Sequence, residues 1–174
     1  MKRIVIVGSS CSGKTTLGRE LAEMFESRRI ELDEYHWLPD WQERDTEEFR
    51  TLVAQAIESD KWVVDGNYSK LGSFVWDAAD TIVWLNLPLW RIYLRLLRRA
   101  IYRVTKREEL WNGNRETLYL MLFDRDSLLY WIPRTWRRKN QRLRRIFDHG
   151  IPDKILLEFR SPAELADWKR AISP

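Results

Sequence analysis

One cysteine and two histidines stand in 174 residues, and no apolar run approaches the ~20 residues a membrane-spanning helix needs. Cys11 alone excludes an internal disulfide and a cysteine zinc cluster. His36 and His149 are too few for a histidine metal site. No internal repeat, low-complexity tract or linker breaks the chain, and no helix-turn-helix or other DNA-reading motif is present. Residues 1–15 carry no signal-peptide cleavage pattern. These absences predict a cytoplasmic chain with no membrane segment, and its length predicts one domain, residues 1–174, with a full core.

What is present begins at Gly8. Gly8-Ser9-Ser10-Cys11-Ser12-Gly13-Lys14-Thr15 fits G-x-x-x-x-G-K-[ST], the phosphate-binding P-loop. It starts so early that nothing upstream is expected to be removed. Lys2 to Val7 is a β-branched run of buried-strand length. About residues 14–26 read as a helix, with Leu17, Leu21 and Met24/Phe25 along one face. The loop therefore joins a strand end to a helix N-terminus, where free N–H groups and the helix dipole favour a polyphosphate. The predicted nucleotide-binding set is Gly8, Ser10, Cys11, Ser12, Gly13, Lys14, Thr15 and Thr16. Lys14 is placed to reach the β- and γ-phosphates of ATP, and the Thr15 hydroxyl to hold Mg²⁺.

The net charge of +4 is unevenly spread. Residues 91–145 hold 16 Lys/Arg against 5 Asp/Glu, and the remainder holds 14 against 21. The basic part is also rich in aromatics. Such a segment attracts polyanions, whether nucleotide, phosphorylated metabolite or nucleic acid.

Further strands are expected at Arg29–Leu32, Trp62–Asp65, Thr81–Leu85 and Lys154–Phe159. A helix over Thr46–Glu58 takes Thr46 as its N-cap and buries Phe49, Val53, Ala56 and Ile57. After Pro88, a helix is expected to turn Leu89, Ile92, Tyr93, Leu96, Leu97, Ala100 and Ile101 toward the core. Arg91, Arg95, Arg98, Arg99 and Arg103 share its other face. Ser161-Pro162-Ala163-Glu164 opens a last helix. Strands alternating with helices predict a three-layer P-loop NTPase fold of α/β class, a five-stranded parallel sheet with helices on both faces. Ligands of such sheets bind at the carboxyl ends of strands, where Gly8, Asp33 and Asp65 fall.

The motifs together resemble a known group. Val63-Val64-Asp65-Gly66 is similar to the hydrophobic-hydrophobic-Asp-Gly of adenylate kinases. Pro88, Arg95 and Arg99 resemble the strand–proline–arginine helix before an adenylate kinase lid. Leu32 to Pro39, Asp65 to Ser69 and Leu110 to Glu116 resemble the adenylate-kinase-related proteins known as DNA topology modulation proteins. The resemblance implies an adenylate/shikimate-kinase-like fold with a helical lid region at about 100–130, phosphoryl transfer, and an effect on DNA. Asn67-Tyr68 departs from the Phe-Pro-Arg that adenylate kinases place around AMP, and residues 30–45 are acidic and aromatic. Both features argue against AMP as the acceptor.

Phosphoryl transfer requires positioning and charge neutralisation. Lys14, Asp33, Arg95, Arg99 and Arg115 are the candidate catalytic residues, and Thr15 and Asp65 the candidate metal ligands. Asp33 is placed to accept a proton from an acceptor hydroxyl or to orient Mg²⁺, or it is a solvated loop acid. His36, between Tyr35 and Trp37, is expected to pack on aromatics. Arg137, Arg138, Lys139, Arg142, Arg144 and Arg145 form a second cluster, expected to be mostly surface. The leading reading is an ATP- and Mg²⁺-dependent phosphotransferase acting on a nucleoside, nucleotide or other small hydroxyl compound. The rivals are a nucleic-acid-binding NTPase that uses the 91–145 segment nonspecifically, and a nucleotide-binding regulatory protein with weak hydrolysis.

Overall fold

Four of the five strands are dominated by apolar residues, many of them β-branched, so they can be covered on both faces. The computed structural model shows that arrangement and describes residues 1–106, 111–113 and 128–173, without the side chains of 100, 103–106 and 128–131. The strands are β1 (Arg3–Gly8), β2 (Arg28–Glu31), β3 (Trp62–Asp65), β4 (Thr81–Leu85) and β5 (Ile155–Phe159). All pair in parallel, in the order β2-β3-β1-β4-β5. The helices are α1 (Lys14–Met24), α2 (Leu32–His36), α3 (Thr46–Ala56), α4 (Phe74–Ala78), α5 (Leu89–Lys106), α6 (Leu128–His149) and α7 (Pro162–Ile172).

The two-residue period of β1 separates two cores. Ile4 and Ile6 face Leu17 and Leu21 of α1, together with Phe159 and, from α7, Leu165 and Trp168. Val5 and Val7 face the opposite layer, with Phe49 and Val53 of α3, Val75 of α4 and Leu143 of α6. A smaller third core joins Ile92 and Leu96 of α5 to Ile132 and Trp136 of α6, and Cys11 of the P-loop packs against it.

Four expectations change. Asp45, not Thr46, caps α3, because its carboxylate accepts the Glu47 and Glu48 N–H groups. Strand β2 ends at Glu31, and Asp33 falls in the first turn of α2. Leu97 and Ile101 are exposed rather than turned to the core. Their positions join Trp90 and Leu94 on the outer stripe of α5, whereas Ile92 and Leu96 reach α6. Arg144 is not a free surface cation. It donates two hydrogen bonds to Glu158, at 2.8 and 2.6 Å, and lies over the Trp84 ring.

Glu158 closes a polar network on the outer edge of the sheet. Burial opposes its ionisation, but hydrogen bonds from Arg144, Arg160 and Asn86 outweigh burial and hold it at about 2. A carboxylate held low stabilises the fold above the ordinary glutamate range, and that share is lost as pH falls toward about 2. Arg144→Ala is expected to lower stability by about 1–2 kcal/mol, since a partly exposed pair sits at the low end for charged hydrogen bonds. Its melting temperature should also fall less on acidification from pH 6 to 3 than that of the natural chain. An unchanged melting temperature and acid response would remove this role.

Candidate active site

The P-loop leaves β1 at Gly8 and enters α1 through Gly13. Gly13 is the N-cap residue at φ 101, in the left-handed region where a side chain is strained. A Cβ there would lie 3.0 Å from Arg95 Nη1. Arg95 donates to the Ser12 carbonyl at 2.6 Å, so α5 is tied directly to the loop. Within the loop, Ser12 N–H donates to the Ser9 carbonyl at 3.2 Å, and Lys14 Nζ reaches the same carbonyl at 3.0 Å. Cys11 takes φ 61 and packs toward α5 and α6.

Lys14 sits between two fields. Burial lowers its pKa most, the Asp33 and Asp65 carboxylates partly restore it, and Arg99 lowers it further. Of the expected catalytic residues, Asp33 and Arg99 thus act on the P-loop lysine, and Arg95 is tied to the loop itself. Arg91 instead lies over the Trp90 ring. Arg115 lies outside the described residues, as does much of the expected lid.

The metal-ligand candidates also meet. Thr15 Oγ1 donates to Asp65 Oδ1 at 3.2 Å and is 3.3 Å from Glu31 Oε1. Glu31 and Asp65 are register partners on β2 and β3, and Arg29 bridges both carboxylates. Burial, then the Glu31 charge, pushes Asp65 up to about 6. Asp65 Oδ2 is buried and accepts no hydrogen bond. Among the described residues, no group of three or more His, Cys, Asp or Glu forms a metal centre. One or two carboxylates beside a hydroxyl and a phosphate loop suit Mg²⁺, which keeps several of its waters. Gly18 makes this closeness feasible, because a Cβ there would fall 2.8 Å from Asp65 Oδ2.

Toward α2 the surroundings turn aromatic. Tyr68 OH donates to Asp33 Oδ1. His36 is buried against Trp37, Phe49 and Tyr68, as its neighbours suggested. Trp41 stands edge-on to both Trp37 and Trp111. Asn112 donates to the Trp37 and Glu34 carbonyls, so the Trp111–Gly113 turn docks on this side of the molecule.

A profile described as an AAA domain matches residues 4–119, well over half of the chain. The chain belongs to this AAA-domain family. The match covers the P-loop, Glu31, Asp33, Asp65, Arg95 and Arg99 and stops before α6. "Uncharacterized protein YqaC" of Bacillus subtilis (strain 168) is 28% identical over 116 residues, 66% of this chain. Those residues span only 65% of that relative. Shikimate kinase from Bacteroides thetaiotaomicron superposes with a TM-score of 0.60 at 15% identity, covering 98% of this chain and 96% of that one. Shikimate kinase from Acinetobacter baumannii in complex with shikimate gives 0.57 at 17%, covering 99% and 92%. The AAA-domain chain therefore has the three-layer P-loop kinase fold that its strand order and motifs implied.

Sequence reasoning missed two neighbours of the AAA-domain P-loop. Glu31 was passed over for Asp33, although the last residue of β2 pairs with the last of β3. Lys139 was grouped with surface cations. Yet α6 carries it into the field of Lys14, and burial, then Lys14, then Arg138 pull its pKa down to about 8. The signal was there: Ile132, Trp136, Leu143 and Phe147 form one apolar stripe, and Lys139 interrupts it at helical spacing.

Proposed function

We propose that the chain is an ATP- and Mg²⁺-dependent phosphotransferase that acts on a small hydroxyl acceptor. The observation that carries this reading is the setting of Lys14, which feels Arg99 of α5 and Lys139 of α6 together with the Asp33 and Asp65 carboxylates. Gathering half-buried cations disfavours their charged forms, and a polyphosphate reverses that penalty. In this reading the N–H groups of the P-loop and the first turn of α1, Ser10 to Thr16, hold the nucleotide phosphates. Lys14, Arg95, Arg99 and Lys139 neutralise charge on the transferred group, with Arg115 as a further candidate. Thr15 and Asp65 would hold Mg²⁺, which would supply neutralisation of phosphate charge there, and Glu31 stands beside them. Asp33 takes the acceptor hydroxyl proton as the acceptor oxygen bonds to the γ-phosphorus and the bond to ADP breaks. Use of ATP suits a cytoplasmic setting, and among the described residues no helix is long and apolar enough to cross a membrane.

Leu32 to Pro39, Asp65 to Ser69 and Leu110 to Glu116 support a place among the DNA topology modulation proteins within the AAA-domain family. Exposed Arg137, Arg138, Arg142 and Arg145 on α6 support a second reading, nonspecific nucleic-acid contact. Under that reading duplex affinity falls steeply with salt and drops when those four are neutralised.

An ADP-release screen over nucleosides, nucleotides and small hydroxyl metabolites tests the first reading. Transfer to at least one acceptor is expected. ADP release no greater than that of Lys14→Ala with every compound, together with no nucleotide binding, would overturn it.

Lys139 gives a separate check. An anion draws a proton onto a lysine that titrates near 8, so ATP affinity should fall as pH rises through about 8, by about tenfold per unit at most. Lys139→Met should weaken ATP binding about ten- to a hundredfold near neutral pH, the range of a charged hydrogen bond. The variant should also flatten the pH response above 8, as read by titration with a fluorescent ATP analogue. The same slope in both proteins would remove Lys139 from the phosphate site.

A further inference from the structure

We propose that Tyr68 is a positioning residue for the acceptor-side base. Its hydroxyl holds Asp33 Oδ1 so that Oδ2 is left to meet the acceptor hydroxyl. The inference rests on the role given to Asp33 above.

Four observations carry it. Tyr68 donates to Asp33 Oδ1 across 35 positions of sequence, from the loop after β3 to the first turn of α2. The ring packs on two others, 4.5 Å from His36 and 5.4 Å from Phe49 between centroids. Gly66, at φ 141, lets the chain pass so close over α2 that a Cβ would lie 2.7 Å from Leu32 Cβ. That passage brings Tyr68 to Asp33. Finally, the hydroxyl stays a donor. Burial, then the Asp33 and Glu43 charges, raise its pKa above the ordinary tyrosine range, and the Trp37 indole, a donor only, also acts on its oxygen. Lys70 meets Glu43, and Glu43 Oε1 lies 3.7 Å from His36 Nε2.

A carboxylate on a short helix turns freely about its last bond unless one oxygen is held. Held, it presents the other oxygen in a fixed direction, and misplacing a reacting group by about 1 Å can cost roughly a hundredfold in rate. The tyrosine has no need to touch the acceptor. Its effect belongs in kcat, not in nucleotide binding.

The test is a double-mutant cycle on the full chain with Tyr68→Phe, Asp33→Asn and the double variant. Its probe is ATP·Mg²⁺ with the best acceptor from the screen. Tyr68→Phe is expected to lower kcat about ten- to a hundredfold, with binding of a fluorescent ADP analogue unchanged. The double variant should be no slower than Asp33→Asn, within about twofold. Wild-type kcat in Tyr68→Phe, or losses that multiply, would overturn this role while leaving the kinase reading standing. Should Tyr68→Phe fail to fold, NMR of the folded proteins decides. An exchange-protected tyrosine hydroxyl proton in the natural chain that disappears in Asp33→Ala, which leaves no acceptor there, supports the pairing, and its presence in both overturns it. A natural chain that moves no phosphoryl group removes both readings together.

Discussion

Lys14→Ala is expected to abolish nucleoside triphosphate turnover and most of the affinity that depends on the γ-phosphate. The ammonium stands at the mouth of the P-loop, with its Nζ 3.0 Å from the Ser9 carbonyl. Asp33, Asp65 and Arg99 all act on it. Removing a preorganised charge from developing negative charge costs about 10²–10³-fold in rate. Loss of phosphate binding adds to that. The alanine is not expected to unfold the chain, because the loop keeps its Ser12–Ser9 hydrogen bond and the Arg95 contact to Ser12. Steady-state ADP release and titration with ATP and ADP separate the two losses. Turnover at the natural rate would exclude the P-loop as the reacting centre.

Asp33→Asn is expected to be nearly as damaging to transfer and nearly silent in nucleotide binding. A general base supplies about 10²–10⁴-fold. The amide keeps the size and can still accept the Tyr68 hydrogen bond, but it cannot take a proton. Because Asp33 also helps to keep Lys14 charged, a small change in ATP affinity is expected beside the large loss in kcat. If both turnover and nucleotide titration match those of the natural chain, Asp33 is a loop acid and the acceptor side lies elsewhere. The metal arm predicts a contrasting pattern. Asp65→Asn should weaken Mg²⁺-dependent turnover, and raising Mg²⁺ should partly restore it, whereas extra Mg²⁺ should do nothing for Asp33→Asn.

The two halves of the site differed in how openly the sequence displayed them. Phosphate binding is done by consecutive residues, so the P-loop is legible as a string and its strand–helix setting follows from periodicity. Arg95 and Arg99 were legible at one remove, because a proline after β4 sets where α5 begins and spacing sets which residues turn together. The same spacing misled for Leu97 and Ile101. An amphipathic pattern shows that a stripe is apolar, not that a neighbour covers it. Arg144 and Lys139 show the opposite failure. Both sit in a run of cations, yet one is committed to Glu158 and the other is half-buried where it feels the Lys14 charge.

The sequence by itself determined the layers, the parallel strands and the phosphate loop, because these depend on local backbone preference and on periods of 2 and 3.6 residues. It also marked Asp65 as a strand-end acid, whereas Asp33 falls just past the end of β2, in the first turn of α2. Only the tertiary structure decided which groups stand together. Glu31 meets Asp65 because β2 and β3 are in register, and Gly18 lets α1 approach that pair. Tyr68 reaches Asp33 because Gly66 turns the chain over Leu32. Lys139 feels the Lys14 charge because α6 packs on α5 through Ile132 and Trp136. Each pairing joins residues 34 to 125 positions apart, a distance over which no local pattern carries information. Packing of the layers brings them into contact.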